Sequence, residues 1–311
     1  MFAAGCVLVT ALAGAAIAAD ANSAGAPAPA SAPAATAATA PASPATLTPA
    51  PAPAPAAATQ AAGTGPGNSL QVVWQVYLAG IDLGTVGLKT TFTADSYSAV
   101  SRLKTAGVVN SFYEAVIDAS AMGTVAGTTL KPQSYEAKYN GEKSHQHTVL
   151  SYASAGVQLI ADPIYNTQRF PVTEEQKRDT LDPVSGMVFA MSGISLSPEH
   201  PCGDVVKVFD GARRYDIELT FVKNDTLSSD GYKGPAIKCQ VSYKQIAGFK
   251  PNLKQGNNFP AIYVWGATFD TQAPGAVKRF AVPVQLMTET PFGTAIAHAR
   301  KITVDGEVKG G

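Results

Sequence analysis

The sequence lacks an excess of charge of either sign. Its 311 residues include 23 basic and 23 acidic side chains, so the formal net charge is zero. Proteins that bind phosphate backbones need a local excess of Lys and Arg. We therefore expect no nucleic-acid partner.

Motifs of catalysis and cofactor binding are also lacking. The chain contains no Gly-x-Ser-x-Gly elbow, no phosphate-binding loop and no His-Glu-x-x-His pair. We therefore predict no cofactor and assign no catalytic residue. An active site without such a signature stays open as an alternative.

Residues 1–19 resemble a secretory signal. Residues 7–12 form an apolar core, and Ala16 and Ala18 supply the small side chains that a signal peptidase requires. No Lys or Arg precedes that core, which departs from the usual signal pattern. A retained membrane anchor is the alternative, although the apolar run is shorter than the ~20 residues that span a bilayer. We predict cleavage, and a periplasmic protein that is not transmembrane in its mature form.

Residues 20–68 consist almost entirely of Ala, Pro, Thr, Ser and Gly, without an aromatic side chain. Such a segment cannot bury enough apolar surface to offset the entropy of ordering it. We predict a disordered linker over residues 20–68, a β-rich domain over 69–305 and a disordered tail over 306–311.

Short strands and tight turns dominate from Leu70 onward. Residues 72–78 are rich in β-branched and aromatic side chains, and residues 237–243 alternate between apolar and polar. Two dipeptides, Asn140-Gly141 and Asp210-Gly211, each predict a two-residue hairpin turn, because these residue types tolerate positive φ. Such turns would place Tyr139 opposite Glu142, and Val208 opposite Arg213.

Two helix starts interrupt the strand pattern. Asp182 is a good N-cap and Pro183 suits the first helical position, so a helix should begin there and end before Gly193. Residues 173–176 read as a capping box for a shorter helix. The sequence therefore predicts a mainly β fold: a curved, partly open antiparallel β-sheet or half-barrel with one or two short helices.

Cys202 and Cys239 are the cysteines that remain once the signal is removed. The hairpin register puts Cys202 beside Leu219, and strand alternation puts Cys239 beside Val241 on an apolar face. Paired thiols usually close in an oxidising compartment, so we predict a structural disulfide. A redox-active pair is the alternative, although neither cysteine lies in a Cys-x-x-Cys motif.

His145, His147 and Glu136 share one face of the first predicted hairpin. These residue types bind zinc, so a metal site is one interpretation. The rest of that face is Lys and Ser, which is typical of a solvated surface. We therefore predict no metal.

Three cations, Lys207, Arg213 and Arg214, cluster at the predicted tip of the second hairpin. They could contact an anionic head group or a glycan. A solvated turn is the favoured interpretation, and contact with an anionic group is the alternative.

Several short motifs occur in a fixed order along the folded part. They are Tyr77-x-x-Gly80-Ile81-x-x-Gly84, Leu130-x-Pro132-x-x-Tyr135, Asp182-Pro183-Val184-Ser185, Val208-Phe209-Asp210-Gly211-x-Arg213-x-Tyr215, Gly248-Phe249 and Val282-Pro283-Val284. From Tyr77 to about Leu286 the chain resembles a family of bacterial envelope proteins catalogued as domain of unknown function 3108. That resemblance implies an exported β-rich domain with no established activity. It also suggests fold-level similarity to the open, half-barrel lipid and lipoprotein carriers of the envelope.

Three functional hypotheses follow. An open antiparallel sheet must cover one face, and a partly covered concave face forms a ligand groove. The leading hypothesis is a non-enzymatic periplasmic envelope protein that binds an apolar or amphipathic ligand of lipid or lipoprotein type. The alternatives are an envelope scaffold or protein-interaction module, and a hydrolase with an unmarked site.

Overall fold

The computed structural model describes residues 66–107, 114–142, 144–250 and 260–310. These residues form one large antiparallel sheet of fourteen strands with two short helices, which confirms the predicted fold class. Among the described residues, no helix is long and apolar enough to cross a membrane.

The strands and helices follow one another along the chain in this order. The first seven strands are β1 (Asn68–Leu78), β2 (Ile81–Phe92), β3 (Ser96–Thr105), β4 (Ala115–Ala126), β5 (Thr129–Gly141), β6 (His145–Ala153) and β7 (Gly156–Asp162). Helices α1 (Glu174–Lys177) and α2 (Pro183–Met191) come next. The remaining strands are β8 (Val206–Phe209), β9 (Arg214–Ser229), β10 (Tyr232–Ala247), β11 (Ile262–Asp270), β12 (Arg279–Thr290), β13 (Gly293–Val304) and β14 (Glu307–Lys309).

The sheet is open because its two end strands do not pair. The order is β7-β6-β5-β4-β3-β2-β1-β13-β12-β11-β10-β9-β8, and β14 pairs with β13 beside this path. Strand β1 therefore lies in the middle and joins the two halves of the chain. Its alternate residues Leu70, Val72 and Trp74 are fully buried, as a strand with one face on the core requires.

Helix α2 fills the space inside the sheet. It contacts β3, β4 and β5 from one half and β8 and β12 from the other, so the sheet curves around it. Asp182 caps its first turn and Pro183 begins it, as the sequence predicts. Gly186 allows the helix to lie close to β8, because a Cβ there would stand 3.1 Å from Val206 and 3.3 Å from Val208. The interior is thus a packed core.

Both predicted hairpins form, but each has a longer turn than expected. Tyr139 pairs with Gln146, and Gly141 N donates to Ser144 O at 2.9 Å, so four residues make the first turn. Gly141 fits there because a Cβ would meet the Tyr139 ring. The predicted pairing of Tyr139 with Glu142 is therefore wrong, although an even shift keeps every side chain on its expected face.

The second hairpin also has a four-residue turn. Val208 pairs with Tyr215, so its predicted pairing with Arg213 is wrong. Asp210 Oδ1 accepts hydrogen bonds from Ala212 N at 2.9 Å and Arg213 N at 2.7 Å, which stabilises the wider turn. The shift is again even, so Val206, Val208 and Tyr215 keep their common face.

The edges of the domain extend slightly beyond the predicted boundaries. Asn68 opens β1 and is fully buried, where its Oδ1 accepts from Val277 N at 3.1 Å and its Nδ2 donates to Thr271 Oγ1 at 3.0 Å. Strand β14 lies in the segment expected to be a disordered tail. It forms because Asp305 and Gly306, with φ values of 51° and 85°, make a two-residue turn.

Candidate ligand cleft

A cleft of about 850 Å³ opens between the β6–β7 hairpin and β8, the two ends of the sheet order. Four parts of the chain line it: the β4–β5 hairpin, the β6–β7 hairpin, the segment from α1 to α2, and the start of β8. The lining residues include Leu130, Lys131, Tyr152, Val157, Glu174, Lys177, Arg178, Asp179, Leu181, Phe189, Val206 and Lys207. The cleft exists because the sheet does not close there.

The far side of the same gap is closed by packing. Gly211, in the β8–β9 turn, has a φ of 101°, which favours glycine. A Cβ at this position would stand 3.1 Å from Leu159 Cδ1 and 3.1 Å from Thr148 Cγ2, so the turn lies tightly against the β6–β7 hairpin. The cleft is therefore confined to the end of the gap near the β6–β7 turn.

The floor of the cleft is apolar. Leu130, Leu181, Phe189 and Val206 are buried members of the core, and Val157 packs against them from the edge strand. The base of the cleft is therefore formed by the edge of the hydrophobic core.

The rim of the cleft is charged, with four cations and two carboxylates. Lys177 Nζ lies 2.6 Å from Glu174 Oε1, and Lys131 Nζ lies 3.7 Å from Asp179 Oδ1. Arg178 and Lys207 are exposed, and neither forms an ion pair within the described residues. The rim therefore carries a net positive charge.

A buried polar group lies under the floor, at the start of α2. Asp182 Oδ1 accepts from Ser185 N at 2.8 Å, and its Oδ2 accepts from Ser185 Oγ at 2.5 Å. The Tyr97 hydroxyl lies 2.7 Å from the same Ser185 Oγ. Burial raises the pKa of the Asp182 carboxyl to about 6, although the hydrogen bonds from Ser185 oppose that rise. Since Ser185 is fully buried, this serine cannot meet a substrate.

Tyrosine side chains connect this polar group to the cleft. The Tyr152 ring lines the cleft, and its buried hydroxyl has no hydrogen-bond partner within the described residues. Burial, followed by the charge of Asp182, raises the pKa of Tyr152 and of Tyr135 well above the usual range. These phenols therefore stay neutral and do not act as bases.

The three predicted anion-binding cations are placed in different environments. Lys207 is exposed on the cleft rim. Arg213 and Arg214 are each only 6% exposed, so the three do not form a cluster at the hairpin tip. Contact of Lys207 with an anionic group stays a prediction.

The two arginines are instead buried inside the domain. Arg214 Nη1 lies 2.5 Å from Asp216 Oδ1, and its Nε donates to Gln176 O at 3.0 Å. The Arg213 guanidinium lies 5.7 Å from the centroid of the Phe249 ring. Burial raises the pKa of the neighbouring Asp210 carboxyl, and the positive charge of Arg213 opposes this.

Cys202 and Cys239 form a disulfide, with their Cα atoms 6.3 Å apart. Cys239 lies in β10 and is buried, as expected. Cys202 does not lie beside Leu219 as predicted, because β8 begins only at Val206 and the cysteine precedes it in a turn. The bridge fixes this turn, which leads into the β8 wall of the cleft.

The candidate metal ligands do not assemble into a three-ligand group. His147 Nε2 lies 2.9 Å from Glu136 Oε1, and Lys138 Nζ lies 2.8 Å from the same oxygen. His145 instead pairs with Asn140 in the hairpin ladder. Within the part of the chain that the structure describes, no three His, Cys, Asp or Glu side chains could hold a metal ion.

Sequence reasoning missed most of the cleft. The capping box at Thr173 correctly places Lys177 and Arg178 at the end of a helix. No local pattern shows that this end lies beside β8, because a single bridge between Leu181 and Val208 and two backbone hydrogen bonds bring them together. Tyr152 and Phe189 carried no signal that distinguishes cleft lining from core.

The comparisons with known proteins give a family and two distant structural likenesses. The model of the family described as "Protein of unknown function (DUF3108)" matches residues 73–300. No curated protein matches the chain significantly. A β-barrel-like protein of domain of unknown function DUF1849 from Brucella abortus is similar at 10% identity and a TM-score of 0.43, covering 77% of this chain and 97% of its own. A DUF1329 family protein from Desulfovibrio piger is similar at 12% identity and a TM-score of 0.18, covering 78% of this chain and 87% of its own.

Proposed function

Since the chain belongs to the DUF3108 family, whose function is unknown, we propose its function from the cleft itself. We propose that the protein is a non-enzymatic binder of a small amphipathic molecule, and that it works in the periplasm as part of the cell envelope. The ligand would lie in the cleft between the β6–β7 hairpin and β8.

One observation carries this proposal: the open end of the sheet combines an apolar floor with a charged rim. Amphipathic ligands need both surfaces side by side, one to cover the hydrocarbon and one to face the head group and water. The space inside the sheet offers no such site, since α2 fills it. The leading sequence hypothesis placed the ligand in the concave face, and the proposal moves it to the edge of that face.

The size of the cleft favours a small lipid over a lipoprotein. Sites for small molecules measure roughly 300–1,000 Å³, and this cleft measures about 850 Å³. A folded polypeptide partner would instead need an extended contact surface, of roughly 800 Å² on each side. A lipoprotein could contribute only its acyl chain to this site.

Two features support the periplasm as the compartment. Residues 1–19 have the pattern of a secretory signal, and the Cys202–Cys239 bridge suits an oxidising environment. N-terminal sequencing of the protein from a periplasmic fraction tests this, and we expect the mature chain to begin near Ala19 or Asp20. An uncleaved chain recovered from the membrane would contradict the assignment.

The binding proposal is tested by mass spectrometry of organic extracts from protein purified out of its native periplasm. We expect an amphiphile to co-purify with the wild type and to be lost from Val157→Trp, which fills the cleft from β7. The matched control is Val308→Trp on the exposed strand β14, which should retain the ligand. Equal ligand content in the two variants, both with wild-type melting temperatures, would refute the site.

A second candidate function is a protein-interaction module. Strand β8 pairs only with Arg214–Ile217 of β9, so within the described residues the outer edge of β9 from Glu218 to Ser229 has no partner strand. Phe221 and Val222 on this edge are 42% and 45% exposed. Such an edge can accept a strand from another protein. Slower amide exchange at Glu218–Ser229 in the presence of envelope extract would favour this function.

A further inference from the structure

The unpaired cations on the rim indicate the class of ligand. We propose that the cleft binds a single-chain amphiphile with an anionic head group, a carboxylate or a phosphate, and that Arg178 and Lys207 hold that group. This inference rests on the proposed function and names the ligand that the cleft selects.

The inference begins from the charges on the rim. Glu174 neutralises Lys177 and Asp179 neutralises Lys131, through the ion pairs described above. Among the residues that the structure describes, Arg178 and Lys207 form no ion pair with a carboxylate, and both line the cleft. A neutral head group would leave these charges uncompensated, and a cationic head group would be repelled.

The rim is held in place before any ligand arrives. Leu181 N donates to Lys207 O at 2.8 Å, and Phe209 N donates to Leu181 O at 2.9 Å, which ties the segment after α1 to β8. Thr180 Oγ1 donates to Lys177 O at 2.7 Å and fixes the turn that carries Arg178. The two cations therefore sit on backbones that are hydrogen-bonded to each other, so little ordering is needed when an anion binds.

The segment between the two cations also takes an unusual conformation. Asp179 has a φ of 53°, in the left-handed region that residues other than glycine adopt rarely. Its carboxylate lies 3.7 Å from Lys131 Nζ of β5. Arg and Lys complement each other here, since guanidinium binds oxyanions in a bidentate manner and ammonium acts as a point charge.

The test measures the affinity of the full-length mature protein for four probes with the same dodecyl chain: dodecyl phosphate, laurate, dodecyl maltoside and dodecyl trimethylammonium. We expect the two anionic probes to bind about tenfold more tightly than the maltoside, and the ammonium probe to bind most weakly. The preference should decrease as salt is raised, because the rim is exposed to solvent. Tighter binding of the phosphate than of laurate would identify a phosphate head group, and the reverse a carboxylate.

The variant Arg178→Gln/Lys207→Gln should abolish the preference for anions while the maltoside still binds. Its matched control, Lys104→Gln/Lys301→Gln, removes two exposed cations from strands β3 and β13 and should bind as the wild type does. Equal affinity for all four probes, or an unchanged preference in the Arg178/Lys207 variant, would overturn this inference. Neither result would contradict the proposal that the cleft binds an amphiphile. No binding of any probe would instead refute the proposed function.

Discussion

The buried carboxyl of Asp182 should make the stability of the fold depend on pH. It is fully buried at the start of α2, and burial raises its pKa from 3.8 to about 6. We consider the substitution Asp182→Asn, which removes the charge and keeps an N-cap acceptor for Ser185 N. Asn is as good an N-cap as Asp, so the helix start should survive.

The sign of the effect follows from proton binding in the two states. Between pH 3.8 and about 6, the folded protein holds a proton on Asp182 that the unfolded chain has lost. The stability that this proton contributes is fully present below pH 3.8 and is lost as the pH rises through about 6. A shift of about two pKa units corresponds to about 3 kcal/mol of unfolding free energy.

Urea denaturation at a series of pH values between 4 and 7 measures the effect. We expect the unfolding free energy of the wild type to fall across this range by about 2 kcal/mol more than that of Asp182→Asn, since part of the effect lies below pH 4. Part of the fall should remain in the variant, because burial also raises the pKa of Asp210. The control is Asp204→Asn, at an exposed aspartate, which should keep the wild-type pH dependence.

A parallel pH dependence in the wild type and in Asp182→Asn would refute this reasoning. It would mean that the carboxyl is hydrated or ionised in the folded state. Parallel curves separated by a constant loss of stability are one form of this outcome, and they would assign Asp182 only a capping role.

Four further predictions concern the disulfide and the start of the domain. Cys202→Ser/Cys239→Ser should lower the unfolding free energy by about 4 kcal/mol in urea titrations, since the bridge spans 37 positions; an unchanged midpoint would contradict a structural bridge. Thiol counting on the native protein should find neither cysteine free, and reduction by mild thiol without unfolding would favour a redox-active pair. A protein truncated to start at Pro66 should keep its melting temperature, because residues 20–65 lack the side chains to join a core; a large destabilisation by the truncation would show that the segment packs on the domain. By contrast, Asn68→Ala should lower the unfolding free energy by about 2 kcal/mol, because it removes buried hydrogen bonds.

The hairpin turns show how far local sequence signals reach. Asn140-Gly141 and Asp210-Gly211 correctly mark the positions of two hairpins, but each turn contains four residues and not two. The Tyr139 ring occupies the space beside Gly141, and the Asp210 carboxylate accepts two backbone amides. The Asp305-Gly306 turn carried the same signal and does form a two-residue hairpin.

The candidate site was less accessible to sequence reasoning than the fold. Arg213 and Arg214 read as surface cations, because charged side chains are rarely buried without partners. Arg214 contacts Asp216 on its own strand, but the other partners, the Gln176 carbonyl of α1 and the Phe249 ring after β10, are brought close only in the folded chain. Arg178 and Lys207 lie 29 positions apart in sequence and share a rim for the same reason.

The sequence by itself determined the strand-rich fold, the start of both helices and the pairing of Cys202 with Cys239. These features depend on periodicity, capping and residue count, which are local properties of the chain. Only the tertiary structure decided where the sheet stays open, that α2 fills its interior, and which cations face the resulting cleft. Those features depend on contacts between residues far apart in sequence, and local physical chemistry does not specify such contacts.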